Sequence, residues 1–402
     1  MAFSRMTAAA LRRTAICAVS LGAVATTAVA CTNGGSTGPS VTSSTSAYSS
    51  AVSSSSAASS AVPVANGCGA TELAKMTRRE KLAQMLVIGV TGTADAERIV
   101  QSEKVGGVFI GSWTDLSILT SGAMERISRT SKTPLMVTVD QEGGRVSRLN
   151  KIGIDSPSAR ELAATRTPAQ TRVLAASIGK RLKRLGITVD FAPDADVSNE
   201  SDDEVIGDRS FSNDPETVTK YAQAFAQGLQ DAGIMPVFKH FPGHGHGSGD
   251  SHTGTVRTPP LAQLRTSDLV PYRTLLTMPG VGAMVGHLIV PGLTGTELPA
   301  SVNARAIAML RTGKGYRGPA FNGVVFSDDL SGMAAISAKY PIEQAVPMAL
   351  SAGSDVALWL STDKVSTVLD ALERAVARKT LSEAKVDRSV VRILRAKGVL
   401  NC

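Results

Sequence analysis

The chain is 402 residues long, with 42 Lys and Arg against 34 Asp and Glu for a net charge of +8, and only 4% of its residues are aromatic. The positive charge is moderate and spread out; its one cluster, Lys180, Arg181, Lys183 and Arg184, reads as a solvated helix face. With aromatics scarce and no nucleic-acid motif, no nucleic-acid partner is expected, and attraction to an anionic envelope polymer is the weaker use of the charge.

The N-terminal residues read as an address. Arg5, Arg12 and Arg13 precede an apolar run that starts at Thr14 and closes in Ala28-Val29-Ala30-Cys31. A charged start, a short apolar run and small residues before a cut form a signal-peptide pattern, and the run is short for a membrane span. Cys31 after small residues resembles a bacterial lipobox, which implies lipidation of Cys31 and anchoring to the membrane on its envelope side. Ordinary secretion with cleavage nearby is the alternative, because Ala28 stands where leucine is usual. Residues 31–66 are mostly Ser, Thr, Ala and Gly with hardly a charge, too polar to offset their ordering entropy. They read as a flexible tether, with O-glycosylation as a further possibility.

The folded region is expected over 67–402. Short apolar, β-branched runs recur at 85–90, 107–110, 135–139, 188–191, 236–239, 282–286, 323–327 and 355–359. Stretches of helical period separate them, such as 159–185 and 216–232. Eight buried strands alternating with helices predict a single (β/α)8 TIM-type barrel, with an open doubly wound sheet as the alternative. Barrel chemistry gathers at the C-terminal strand ends. The third run ends at Asp140, the fourth leads to Asp194, the fifth ends at Lys239-His240, the sixth at His287 and the seventh at Asp328.

Besides Cys17 and Cys31 the chain has only Cys68 and Cys402. An exported chain meets an oxidising compartment, and a barrel brings its first and last strands together, so this pair is expected to form a disulfide. Two unpaired thiols are the alternative. The count and spacing exclude a Cys-X-X-Cys metal or redox site.

Four polar clusters stand out. Residues 239–252 read Lys-His-Phe-Pro-Gly-His-Gly-His-Gly-Ser-Gly-Asp-Ser-His, too rich in Gly and Pro for helix or sheet, with histidines that titrate near neutral pH. The others are Asp140-Gln141-Glu142-Gly143-Gly144-Arg145, Gly207-Asp208-Arg209-Ser210-Phe211 and Ser327-Asp328-Asp329-Leu330. Together they resemble the signature of family 3 glycoside hydrolases, in the single-domain β-N-acetylglucosaminidase branch that serves cell-wall turnover. The resemblance covers about 73–400 and lacks the second sandwich domain that many members carry.

The resemblance implies roles. Asp328 becomes the nucleophile that forms a covalent glycosyl-enzyme, while Asp329 caps the following helix. Gly332 separates Ser331 from Met333, which usually follows directly; this alters the loop but spares both aspartates. Asp250-Ser251-His252 matches an Asp-X-His dyad in which His252 is general acid, then base, and Asp250 orients it. Asp140, Arg148, Arg209, Lys239 and His240 match positions that grip the terminal sugar through charge-assisted bonds. Glu142 and Arg145 are expected to be structural partners within their loop. His244 and His246 receive no role. Four histidines also suggest a metal, but glycines separate them and the family claims His240 for substrate, so neither metal nor cofactor is expected.

The function implied is a retaining exo-β-N-acetylglucosaminidase acting, as a monomer, on peptidoglycan-derived saccharides. A neutral histidine base does not repel an anion, so phosphate as acceptor in place of water is an open alternative. A solute-binding lipoprotein fits the leader and tether, but such a protein needs no equivalent of Asp250, His252 and Asp328.

Overall fold

Eight short runs, buried on both faces, form the strands β1 Leu86–Val90, β2 Gly107–Ile110, β3 Met136–Val139, β4 Val189–Asp190, β5 Met235–Phe241, β6 Gly282–Val285, β7 Val325–Asp329 and β8 Val356–Trp359. Burial on both faces is what a parallel sheet covered by helices demands. The computed structural model describes residues 67–402; the expected leader, the lipidated Cys31, Cys17 and the 31–66 tether lie outside the described residues. Every strand pairs in parallel with its sequence neighbours, and β1 closes the ring against β8 with Leu86 opposite Ala357. The result is a closed eight-stranded barrel, not an open sheet.

Aromatic side chains from non-adjacent strands meet inside the ring. Phe191, just after β4, stacks on Phe109 of β2 at 6.0 Å and meets Phe326 of β7 edge-on at 5.2 Å. Strands so far apart around the ring reach one another only through its interior, so these rings fill the barrel.

The outer layer is α1 Thr93–Glu103, α2 Ala123–Thr130, α3 Pro168–Arg184, α4 Pro215–Asp231, α5 Val270–Leu275, α6 Ala304–Thr312, α7 Ile342–Ala352 and α8 Val365–Ala377, followed by α9 Glu383–Ala396. The helix expected over 159–185 is two helices, Ala159–Thr165 and α3. The break follows from local chemistry: Pro168 starts α3, and Thr167 and Gln170 cap each other reciprocally. Two strand ends also differ from expectation. β5 runs on to Phe241, and β7 ends at Asp329, so Lys239, His240 and Asp328 stand on strands.

Ring closure brings the two ends of the domain together. Cys68 and Cys402 are joined by a disulfide with a Cα–Cα distance of 5.8 Å. Beside it, the helix Arg78–Gln84 is tied to α9 by Lys81–Asp387 at 2.8 Å and Arg78–Glu383 at 2.5 Å.

Candidate active site

At the C-terminal rim one cavity of about 490 Å³ collects residues from several strand ends and the loops that follow them. It is lined by Asp140, Glu142 and Arg148 after β3, by Arg209 from the loop after β4, by Lys239 and His240 on β5, by Asp250 and His252 beyond it, and by Asp328 on β7. All eight residues assigned to catalysis or sugar binding from the sequence therefore face the same space.

Its floor is a charge network. The Lys239 ammonium, 3% exposed, donates to Asp140 Oδ1 at 2.7 Å and lies 2.6 Å from Glu142 Oε1. Arg209 grips Glu142 with two parallel bonds, Nε to Oε2 at 2.8 Å and Nη2 to Oε1 at 2.9 Å. Arg148 Nη2 stands 3.8 Å from Asp140 Oδ2. Burial would raise the Glu142 pKa, but the Arg209 and Lys239 charges outweigh it and hold the carboxyl far below the usual range. Lys239 is raised in turn, because Asp140 and Glu142 overcome its desolvation. Glu142 and Lys239 therefore stay ionised, and the network presents fixed donors and acceptors of the kind that sugar hydroxyls can use.

Glu142 and Arg145 are not partners within their own loop. Glu142 is the counter-ion of the two buried cations, and Arg145 reaches to Asp208 at 2.8 Å and to the backbone carbonyls of Asp203, Glu204, Val205 and Ile206. Arg145 thus locks the loop that carries Arg209.

Beneath His240 lies a carboxylate that sequence reasoning missed. Asp196 accepts from His240 Nδ1 at 2.7 Å, from the His240 backbone N–H at 3.2 Å and from the His244 backbone N–H at 2.7 Å. The Asp-Ala-Asp sequence at 194–196, just past β4, was the signal for it. Burial lowers His240 to about 4, so its imidazole is neutral at physiological pH. Burial lifts Asp196 to about 6, and burial together with the Asp196 charge raises Asp194 well above the usual carboxylate range. The donor atoms of Asp194, Asp196 and His240 lie within 4.8 Å of one another, a spacing a metal ion could use. However, Asp196 already accepts three N–H groups, and Asp194 Oδ2 faces the Arg209 guanidinium at 3.5 Å. A cation would have to displace those donors.

Asp328 is buried at the end of β7, where Oδ1 accepts the Asp329 N–H at 2.9 Å. Burial pushes its pKa up, yet the nearby His240 and His287 and that N–H overcome this and hold it below the ordinary value. Asp329 does not cap a helix: it accepts Ser331 N–H and Oγ–H, each at 2.8 Å, and Gly332 N–H at 2.7 Å. The next helix, Ala334–Ser337, begins beyond that turn. Gly332 has a reason to be glycine, since a Cβ there would lie 2.6 Å from Asp329 Oδ2. His287, after β6, donates from Nε2 to the Asp329 carbonyl at 2.7 Å and accepts from Ser301 Oγ at 2.7 Å, which fixes the strand end.

The dyad loop docks on that same segment. The His252 carbonyl accepts the Ala334 N–H at 3.2 Å and the Ser251 carbonyl accepts the Ala335 N–H at 3.0 Å. His252 Nδ1 lies 2.7 Å from Asp250 Oδ1, and its side chain is 61% exposed at the mouth of the cavity. The two unassigned histidines are loop supports. His244 Nε2 meets Ser251 Oγ at 3.3 Å, and His246 Nδ1 lies 3.0 Å from both oxygens of buried Asp268.

A barrel whose rim gathers a buried carboxylate and a fixed charge network has the layout of a sugar-cleaving enzyme, and the comparisons give that class. The glycosyl hydrolase family 3 N terminal domain matches residues 77–396, and the chain belongs to that family of glycoside hydrolases. It is 56% identical over 340 residues to beta-hexosaminidase LpqI of Mycobacterium tuberculosis, covering 84% of this chain and 87% of that one. The solved structure of M. tuberculosis LpqI superposes with a TM-score of 0.81 over 82% of this chain and 97% of that one. A family 3 β-N-acetylglucosaminidase from Paenibacillus is similar at 31% identity and TM-score 0.73, over 81% of this chain and 62% of that one.

Proposed function

We propose that this chain is a retaining exo-β-N-acetylglucosaminidase that releases terminal N-acetylglucosamine from peptidoglycan fragments. The observation that carries this reading is the docking of the Asp250–His252 loop onto Ala334 and Ala335, the segment just past Asp328, above one cavity. A nucleophile and a proton donor from different strands are thereby held against one substrate. The names of the relatives, a beta-hexosaminidase and a β-N-acetylglucosaminidase, support the choice of sugar.

In the first step an Asp328 oxygen bonds to the anomeric carbon, the glycosidic bond breaks, and the His252 Nε2 proton passes to the leaving oxygen. In the second, water attacks the anomeric carbon, His252 takes its proton, and the ester to Asp328 breaks. Two displacements at one carbon retain its configuration. Asp140, Arg148, Arg209, Lys239 and His240 hold the hydroxyls of the terminal sugar throughout. Lipidation of Cys31 and the 31–66 tether would place the domain at the membrane, facing the envelope; the mass of the mature N-terminal peptide tests this, an unmodified Cys31 excluding it.

Incubation with a β-linked N-acetylglucosaminyl disaccharide in phosphate and in non-phosphate buffer, with NMR of the first-formed product, tests the activity. The β-anomer of free N-acetylglucosamine is expected in both buffers. A sugar 1-phosphate would make phosphate the acceptor, and the α-anomer would exclude the double displacement.

A further inference from the structure

Trp113 lines the same cavity as Asp328 and His252, yet it is 43% exposed, one of three large hydrophobic side chains so exposed among the described residues. An indole exposed on the lining of a cavity offers a ligand a large, flat apolar surface to cover. The loop that carries it, after β2, is well anchored. Thr114 Oγ1 donates to the Val90 carbonyl at 2.7 Å and accepts the Gly111 N–H at 3.0 Å, and Asp115 N–H bonds to the Thr91 carbonyl at 2.9 Å. The indole rests on Gly111, where a Cβ would come within 2.3 Å of the ring, and tilts against Phe109 at 6.0 Å. Packed on Gly111 and Phe109, it still leaves 43% of its surface open and lines the cavity.

The cavity lining is chemically mixed. Lys239 and Glu142, 3% and 5% exposed, form a polar floor that suits a sugar gripped by its hydroxyls. Trp113, Met333 and Leu360 add apolar surface to the lining of the same cavity. His252, 61% exposed, also stands at the mouth, where the leaving oxygen must receive its proton. The group beyond that oxygen therefore lies level with the exposed rim and not with the buried floor.

We propose that Trp113 is the platform of an aglycone subsite, stacking on the apolar C–H face of the ring that departs, so that the preferred substrates have a sugar ring as leaving group. This rests on the glycosidase reading above. A pyranose laid on the indole removes apolar area from both, and the anchored loop adds no ordering cost.

The test compares Trp113→Ala and Trp113→Phe with the wild-type protein on two substrates of one glycone, an N-acetylglucosaminyl disaccharide and N-acetylglucosaminyl fluoride, whose leaving group has no ring. The ratio of kcat/KM for disaccharide to that for fluoride is expected to fall about 3- to 10-fold in Trp113→Ala, the usual worth of one aromatic contact, with partial recovery in Trp113→Phe. An unchanged ratio would overturn the proposal, whether both rates fall together or neither falls. Binding is read separately by titrating Asp328→Asn with the disaccharide and following indole emission, since the second tryptophan, Trp359, is 1% exposed. An emission change that vanishes in Asp328→Asn/Trp113→Phe supports the subsite even if the wild type cleaves neither substrate, whereas binding without any such change refutes it.

Discussion

Asp250 holds His252 twice with one atom: its Oδ1 lies 2.7 Å from the ring Nδ1 and accepts the backbone N–H at 2.8 Å. The carboxylate oxygen can only accept, so Nδ1 keeps its proton and Nε2 is the nitrogen that gives and takes the proton exchanged with substrate. Burial pushes the Asp250 pKa up, but the bonds and charge from His252 outweigh this and hold it low. His252→Ala should therefore slow substrates with poor leaving groups by about 10²–10⁴-fold, with a much smaller effect on the glycosylation step of activated aryl glycosides. Asp250→Ala should show the same dependence more mildly. Equal losses on both substrate classes would give His252 a binding role instead.

Glu142 is the shared counter-ion of Arg209 and Lys239, all three nearly shielded from solvent. Glu142→Ala takes the shared carboxylate from two buried cations, leaving Lys239 to Asp140 at 2.7 Å and Arg209 to Asp194 at 3.5 Å; removing one partner of a buried ion pair typically costs about 3–5 kcal/mol. Denaturant unfolding should show a loss of that order, together with loss of activity. A change below about 1 kcal/mol would mean that water or Asp140 takes over the pairing.

The His246–Asp268 pair supplies a pH dependence of stability. The hydrogen bond to Asp268 raises His246 above its ordinary value, against the opposing effect of burial. A histidine raised on folding stabilises fully below its unfolded pKa of about 6.5, and that contribution fades as pH rises through the folded pKa. The melting-temperature deficit of His246→Gln should be largest at about pH 5.5 and shrink toward alkaline pH. A deficit that grows with pH would reverse the assignment.

The Cys68–Cys402 bond closes a loop with a sequence separation of 334. Reduction should cost roughly 2–5 kcal/mol of stability, the usual range for a native disulfide. Titration of denatured, unreduced protein lacking Cys17 and Cys31 should find no free thiol, and two would contradict the bond.

How much of this was legible in the sequence depended on how local the cause was. The eight strands were readable because each contains a short, largely apolar and β-branched stretch between segments of helical period, even where β4 shrinks to Val189–Asp190. The Pro168 break could have been read from Thr167-Pro168 with Gln170 three positions after the threonine. Asp328 and the Asp250–His252 pair were singled out through the resemblance of their motifs to family 3, and the fold brings all three to one cavity. The Glu142–Arg209 pair was not, because its partners lie 67 residues apart and only barrel closure brings them together. His246 and Asp268, 22 apart, were hidden for the same reason. Trp113 carries no motif, and its exposure is a property of the folded rim.

In the proposed mechanism Asp328 bonds covalently to the sugar. A mechanism-based fluorosugar that traps the glycosyl-enzyme, followed by digestion and mass spectrometry, measures this directly. The label should fall on the peptide containing Asp328, and Asp328→Asn, which removes the charge with little change in volume, should remain folded, fail to turn over and take no label. A label on Glu142 or Asp250 would contradict the assignment.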